Sequence, residues 1–292
     1  MEERVELYKI RTMGERFSAT SDFVRENWKV LAKNILPVGL FLSLVVGFFM
    51  QHYMQNAFAL IENPMALDFI NWWAFGGMMI TSILFSLFIY AMTGAILYKH
   101  ADRSLNPETG WEDLKGSFFP NAGKIFIQMC IIGLVALVSA IIIGFFFGAL
   151  TIVQESGLVA VIAVFLLIMV LAVLLIALIP GLSLIYYPVF MEQASARKGI
   201  AKGFKWGFRY WGSTFLSVLL GALILAVVVY ILSMPYTIYI IFTMGSGSWI
   251  VSYLLSALIF IATLLIQPIY IIFIAFQYTS IATKEEEKSL AE

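Results

Sequence analysis

From Ile35 onward the chain alternates between long apolar runs and short polar connectors. Six runs stand out: Ile35–Met50, Trp73–Tyr98, Ile125–Val153, Leu158–Phe190, Thr214–Phe242 and Trp249–Ala282. None has an Asp, Glu, Lys, Arg or His in its interior. A helix needs about 20 mostly apolar residues, at about 1.5 Å each, to cross about 30 Å of hydrocarbon. The pattern therefore predicts an all-α polytopic integral membrane protein, with six transmembrane helices arranged as three hairpins. Strands of a membrane barrel would alternate apolar and polar residues over about ten positions, and these runs do not. The first run is short and borrows length from Leu31 or from residues 51–53. The fourth and sixth exceed the bilayer and must tilt, bend or project.

Residues 1–34 read as a cytoplasmic segment with an amphipathic helix, residues 35–282 as the transmembrane domain, and residues 283–292 as a charged tail. The hairpins begin near residues 35, 125 and 214, and Tyr98, Tyr187 and Tyr278 recur at nearly the same interval. A polar-aromatic segment precedes each hairpin: Phe23–Lys29, Trp111–Phe119 and Phe204–Trp211. This suggests three repeats of about 90 residues, each one interfacial helix plus one hairpin. Thr109-Gly-Trp-Glu112 has the spacing of a capping box. In the segment from Arg197 to Trp211, a helical wheel gathers Lys198, Lys202, Lys205 and Arg209 on one stripe. Ile200, Phe204, Phe208 and Trp211 fall on another side, and Gly199, Gly203 and Gly207 form a small-residue seam. A basic face beside an aromatic face suits the anionic inner leaflet. The expected partner is thus the lipid bilayer, with anionic lipids at its cytoplasmic face.

Composition sharpens the class. Of 292 residues 61% are hydrophobic and 12% charged, and the mean hydropathy is +0.93. A soluble domain carries about 25% charge; this chain cannot cover a soluble core with polar surface, which excludes a water-soluble enzyme and a nucleic-acid binder. Net charge is zero, so placement matters more than total. All 18 Lys and Arg residues lie in 1–34, 99–124, 191–212 and 282–292. The connectors 53–72, 154–157 and 243–248 hold none. The positive-inside rule then places both termini in the cytoplasm. The start, Met1-Glu-Glu-Arg-Val-Glu, does not read as a cleavable signal.

Catalytic chemistry is sparse. His52 falls at the outer end of the first span and His100 at the inner end of the second, on opposite aqueous sides, so no metal site uses both. Cys130 is the only cysteine. No phosphate-binding loop or nucleophile elbow occurs. Asp102, Glu108, Glu112 and Asp113 are interleaved with Lys99, Arg103 and Lys115, as in a solvated loop. Spans without ionisable groups argue against proton coupling. Gln128, Ser139, Ser183, Ser233, Thr237, Ser256, Gln267 and Gln277 can be satisfied by helix hydrogen bonds. Pro180, Pro235 and Pro268 lie inside spans and are expected to bend them.

The stretch Ile185-Tyr-Tyr-Pro-Val-Phe-Met-Glu192, followed by Gly199-Ile-Ala-Lys-Gly-Phe-Lys-Trp206 and Trp211, resembles the inner loop of bacterial six-helix membrane proteins. These include the YciC-like proteins and the membrane domain attached to some glycerophosphodiester phosphodiesterases. In them a span ends near an acidic residue, and a helix of the form small-Ile-x-Arg/Lys-Ser-aromatic follows; Gly203 stands here in place of that serine. The resemblance implies a plasma-membrane protein with no assigned reaction, and it carries over no catalytic residue. The expectation is a non-enzymatic protein, without cofactor or metal, acting through lipid or protein contacts. The alternative is a permease or exporter of a neutral or amphipathic molecule, using a cavity between proline-bent helices.

Overall fold

In a bilayer every backbone N–H and C=O must find a partner within the protein, and a helix meets that demand segment by segment. The computed structural model describes residues 4–62, 72–153, 158–243 and 248–291, and among these there is no strand. The helices are α1 (Met13–Glu62), α2 (Trp72–Ala101), α3 (Trp111–Val153), α4 (Leu158–Leu184), α5 (Tyr187–Glu192), α6 (Ala196–Arg209), α7 (Trp211–Thr243) and α8 (Trp249–Ala291). Six, namely α1, α2, α3, α4, α7 and α8, are long and apolar enough to cross a membrane. The chain is a multi-pass all-α protein.

Two of the helix starts differ from expectation. The 50 residues of α1 rise about 75 Å, and no interfacial helix precedes it as a separate piece. Likewise α3 runs unbroken from Trp111 through its apolar run. Among the described residues, α6, preceded by the short α5, is a separate helix directly before its span. The break is at Tyr210, whose φ of −113° and ψ of 37° leave the helical region.

The caps explain where α1 and α3 begin. Thr12 and Glu15 form a reciprocal box: the Thr12 N–H donates to Glu15 Oε2 at 2.6 Å, and the Glu15 N–H to Thr12 Oγ1 at 3.4 Å. At α3 the expected box is displaced by one residue. Asp113, not Glu112, reaches back, accepting from the Gly110 N–H at 2.9 Å. Thr109 instead closes a turn with Asn106, whose N–H donates to Thr109 Oγ1 at 3.0 Å, while Glu112 pairs with Lys115.

Several polar groups of the spans bond within the protein, although Gln128 Oε1 is buried without a partner among the described residues. Ser139, Ser183, Ser233 and Thr237 donate to carbonyls of their own helices, and Gln128 donates to Ile185 O at 2.9 Å. The helices continue through Pro180, Pro235 and Pro268.

The chain divides into two compact units, Met1–Ala122 with Leu219–Glu292, and Gly123–Val218. In the first, α1 and α8 run antiparallel and very close at Gly47. A Cβ there would lie 2.8 Å from Ala257 Cα, and Ser256 Oγ donates to Gly47 O at 3.0 Å. Nearer the N-terminus the two helices diverge in direction. Gly39 meets Leu264 and Phe17 stacks on Phe273 at 4.4 Å. Between those contacts α1 rises about 33 Å and α8 only about 13 Å. The N-terminal half of α1 therefore crosses α8 obliquely. Its buried seam repeats at spacings of three and four: Arg16, Thr20, Phe23, Asn27, Val30 and Asn34. Thr20, Asn27 and Asn34 satisfy themselves on carbonyls one turn back, and Asn34 also reaches Thr109 O at 3.1 Å.

An arm formed by residues 4–12 closes this end. Arg4 donates to Leu105 O at 2.7 Å, and the Val5 N–H to Glu26 Oε1 at 3.2 Å. The Arg11 N–H donates to Ser280 Oγ at 3.0 Å, and its guanidinium to the Leu7 and Glu6 carbonyls, 4.9 Å over the Phe276 ring. Burial lowers the pKa of that guanidinium, with Glu6 and Glu15 opposing. Beneath the arm every residue of α8 from Ile271 to Ile281 is buried. Apolar length beyond one bilayer thickness is thus covered by protein.

Candidate functional site

The predicted surface residues gather on α6, in the second unit, except Trp211, which lies past the break at Tyr210 and opens α7. Its approach is set by α5, which ends at Gln193 in the left-handed region with φ 53°. Lys124 Nζ holds the Gln193 carbonyl at 3.2 Å. Ser195 then caps α6, its Oγ accepting from the Lys198 N–H at 3.4 Å.

The glycine seam is the docking face. A Cβ on Gly203 would lie 2.6 Å from Ile185 Cα, and one on Gly207 2.5 Å from Gly181 Cα. Backbone meets backbone, the close approach small residues permit between membrane helices. Gln128 reinforces the contact: besides the Ile185 carbonyl it reaches Ala196 O at 3.4 Å.

With the seam fixed, the two flanks acquire different fates. Lys198, Lys205 and Arg209 are exposed. Lys202 is not an unencumbered cation: its Nζ lies 2.7 Å from Glu192 Oε1 and 2.5 Å from Oε2, and 4.2 Å over the Trp206 ring. On the aromatic flank, Phe208 is 48% exposed. Phe204 is half-buried and fills the space over Gly181, where a Cβ would meet its ring at 2.6 Å. Trp211 is more than an apolar anchor, since its Nε1–H donates to Ala177 O at 3.1 Å, in the turn before Pro180. It also stacks on Phe215 at 4.7 Å.

The Glu192–Lys202 pair escaped the sequence reading because the partners are ten residues apart, on two helices joined by the turn at Gln193. The arm and the Thr12–Glu15 cap were also missed, although Thr-x-x-Glu is a written signal. The three span prolines have different settings. Pro180 is buried where Gly207 meets α4, Pro235 is exposed on α7, and Pro268 is buried and lines a cavity of about 220 Å³ between α1 and α8.

Both histidines sit among aromatic rings. His52 packs 4.6 Å from Phe48 and 5.2 Å from Trp73, and His100 4.7 Å from Phe23. His100 Nε2 lies 2.8 Å from Val5 O; because a carbonyl only accepts, that nitrogen carries the proton. Among the described residues no three His, Cys, Asp or Glu side chains gather as a metal ion requires. No family model, curated protein or solved structure matches the chain.

Proposed function

We propose that this is a bacterial protein of the cytoplasmic membrane, with both termini inside, that acts through lipid or protein contacts rather than by turning over a substrate. One observation carries the reading: α6 is seated by its glycine face on the end of α4, leaving Lys198, Lys205 and Arg209 on one flank and Phe208 on the other. That is the arrangement of a helix lying in the headgroup layer, with cations toward phosphates and the ring toward acyl chains. Each cation near an anionic surface contributes about 1 kcal/mol. The confinement of all Lys and Arg to four segments supports the orientation. The sequence resemblance to six-helix bacterial membrane proteins agrees with it.

Impermeant thiol labelling of the full chain, with Cys130→Ala as background, tests orientation and seating together. Single Lys205→Cys and Phe208→Cys variants stay unlabelled in intact cells. After permeabilisation Lys205→Cys reacts and Phe208→Cys is shielded. Labelling in intact cells overturns the orientation; equally fast labelling of both after permeabilisation overturns the seating.

A further inference from the structure

Beside the buried seam of α1 runs a second stripe, displaced by one residue: Phe17, Ser21, Val24, Trp28, Leu31 and Ile35. It lines two cavities of the first unit. One, of about 280 Å³, is closed by Ile269, Tyr270 and Phe273 of α8 and by Gly221 and Ile224 of α7. The other, of about 220 Å³, is closed by Leu265, Pro268 and Ile269. Both are bounded by Val24 and Ile269, so they form one groove where α1 crosses α8. The walls are apolar, and Phe17 and Trp28 remain 36% and 57% exposed.

Three features select the occupant. A partner helix is about 10 Å across, too wide for cavities of this size, whereas a single hydrocarbon chain fits. Arg25 and Lys29 each follow a lining residue by one position. Lys29 Nζ lies 6.0 Å from the Trp28 ring centre and has no ion-pair partner among the described residues, while Arg25 shares Asp22 at 3.2 Å. Finally, the Tyr270 hydroxyl, on a residue lining the groove, has no hydrogen-bond partner among the described residues. Tyr270 is half-buried; a hydroxyl against apolar walls favours an acceptor, and a lipid ester carbonyl supplies one.

We infer that this groove holds one acyl chain of an anionic glycerophospholipid, its ester carbonyl accepting from Tyr270 and its phosphate on Lys29 and Arg25. The site is separate from α6 and does not rest on the function proposed for it.

Native mass spectrometry of the full chain in detergent, titrated with phosphatidylglycerol or phosphatidylcholine, tests the inference. The wild type retains one phosphatidylglycerol in preference to phosphatidylcholine. Arg25→Gln and Lys29→Gln each lower that preference about fivefold. Ile269→Trp fills the groove and abolishes retention of both lipids; Ile224→Trp does so from the α7 side, and circular dichroism verifies that each variant is folded. The triple variant Lys198→Gln, Lys205→Gln, Arg209→Gln leaves this lipid in place, which separates failure here from failure of the α6 reading. Retention undiminished in a folded Ile269→Trp or Ile224→Trp chain overturns the inference, as does a wild type without lipid preference.

Discussion

The N-terminal half of α1 and α6 are both basic amphipathic helices leading into an apolar span, yet they are integrated in opposite ways. The seam of α1 carries large and polar side chains, among them Arg16, Phe23, Asn27 and Asn34. These need room and hydrogen bonds, so the helix crosses α8 obliquely and its polar groups turn back onto their own carbonyls. The seam of α6 is glycine, so its backbone settles directly on the end of α4 and the side chains are pushed to the flanks. Seam volume, more than amphipathicity, separates a helix whose seam takes in a cation, Arg16, from one whose cations all lie on its flanks. Arg16 is buried in the α1 seam and Arg11 in the arm beside it, while Arg25, Lys29 and Lys33 stay exposed on the other side of α1; on α6, Lys198, Lys205 and Arg209 are all exposed.

The strongest way to break this contrast is to give α6 a bulky seam. Gly203→Val places atoms against the Ile185 backbone, where no side chain can yield. Overpacking costs about 3 kcal/mol, and α6 should come away from α4. The expected readouts are a lower melting temperature in detergent and faster tryptic cleavage after Lys198 and Lys205. Gly116→Ala is the matched control. Nothing lies within 4 Å of a Cβ there, so the same kind of change gains up to about 1 kcal/mol of helix propensity. If Gly203→Val melts with the wild type, the glycine seam is not the docking face.

The arm supplies the next largest effect. Arg11→Ala strands the Leu7 and Glu6 carbonyls, at about 2 kcal/mol. Hydrogen exchange should accelerate across residues 5–12 while the α8 core stays protected. On α6, by contrast, Lys205→Ala should change stability by less than about 0.5 kcal/mol. Equal losses from both substitutions would erase the distinction between buried and displayed cations.

The smallest effect sharpens the picture within α6. The side chains of Lys202 and Glu192 are 31% and 32% exposed, so their pair contributes at most about 1 kcal/mol in water and less in salt. Glu192→Gln should lower the melting temperature slightly at low ionic strength and leave it unchanged at high salt. A large, salt-independent loss would make the pair a structural joint between α5 and α6.

Much of this was legible before any coordinates. Continuous apolar runs could satisfy their backbones only as helices, so the number and approximate extent of the spans followed from hydropathy alone. The 3.6-residue period likewise ordered the basic, aromatic and glycine positions along α6, but only as far as Arg209, because the break at Tyr210 puts Trp211 on the next helix. Local rules reached less far at boundaries. The box at Thr109 and Glu112 had the right spacing, but Asn106 competes for the Thr109 hydroxyl, and the cap moved one residue on. Nor does any residue pattern announce that α1 and α3 continue without a break, whereas Tyr210 interrupts the path from α6 to α7.

What the sequence by itself determined is therefore the solvent each segment prefers and the angular order of its faces, because both depend only on side-chain chemistry and helix period. What only the tertiary structure decided is which face meets which neighbour. It aimed the glycine seam at Ile185 and Gly181, and through the turn at Gln193 it brought Glu192 to Lys202. It also laid the arm over Phe276 and Ser280. Those contacts join residues far apart in the chain, and their free energies depend on distance and mutual burial, quantities that exist only once the helices have packed.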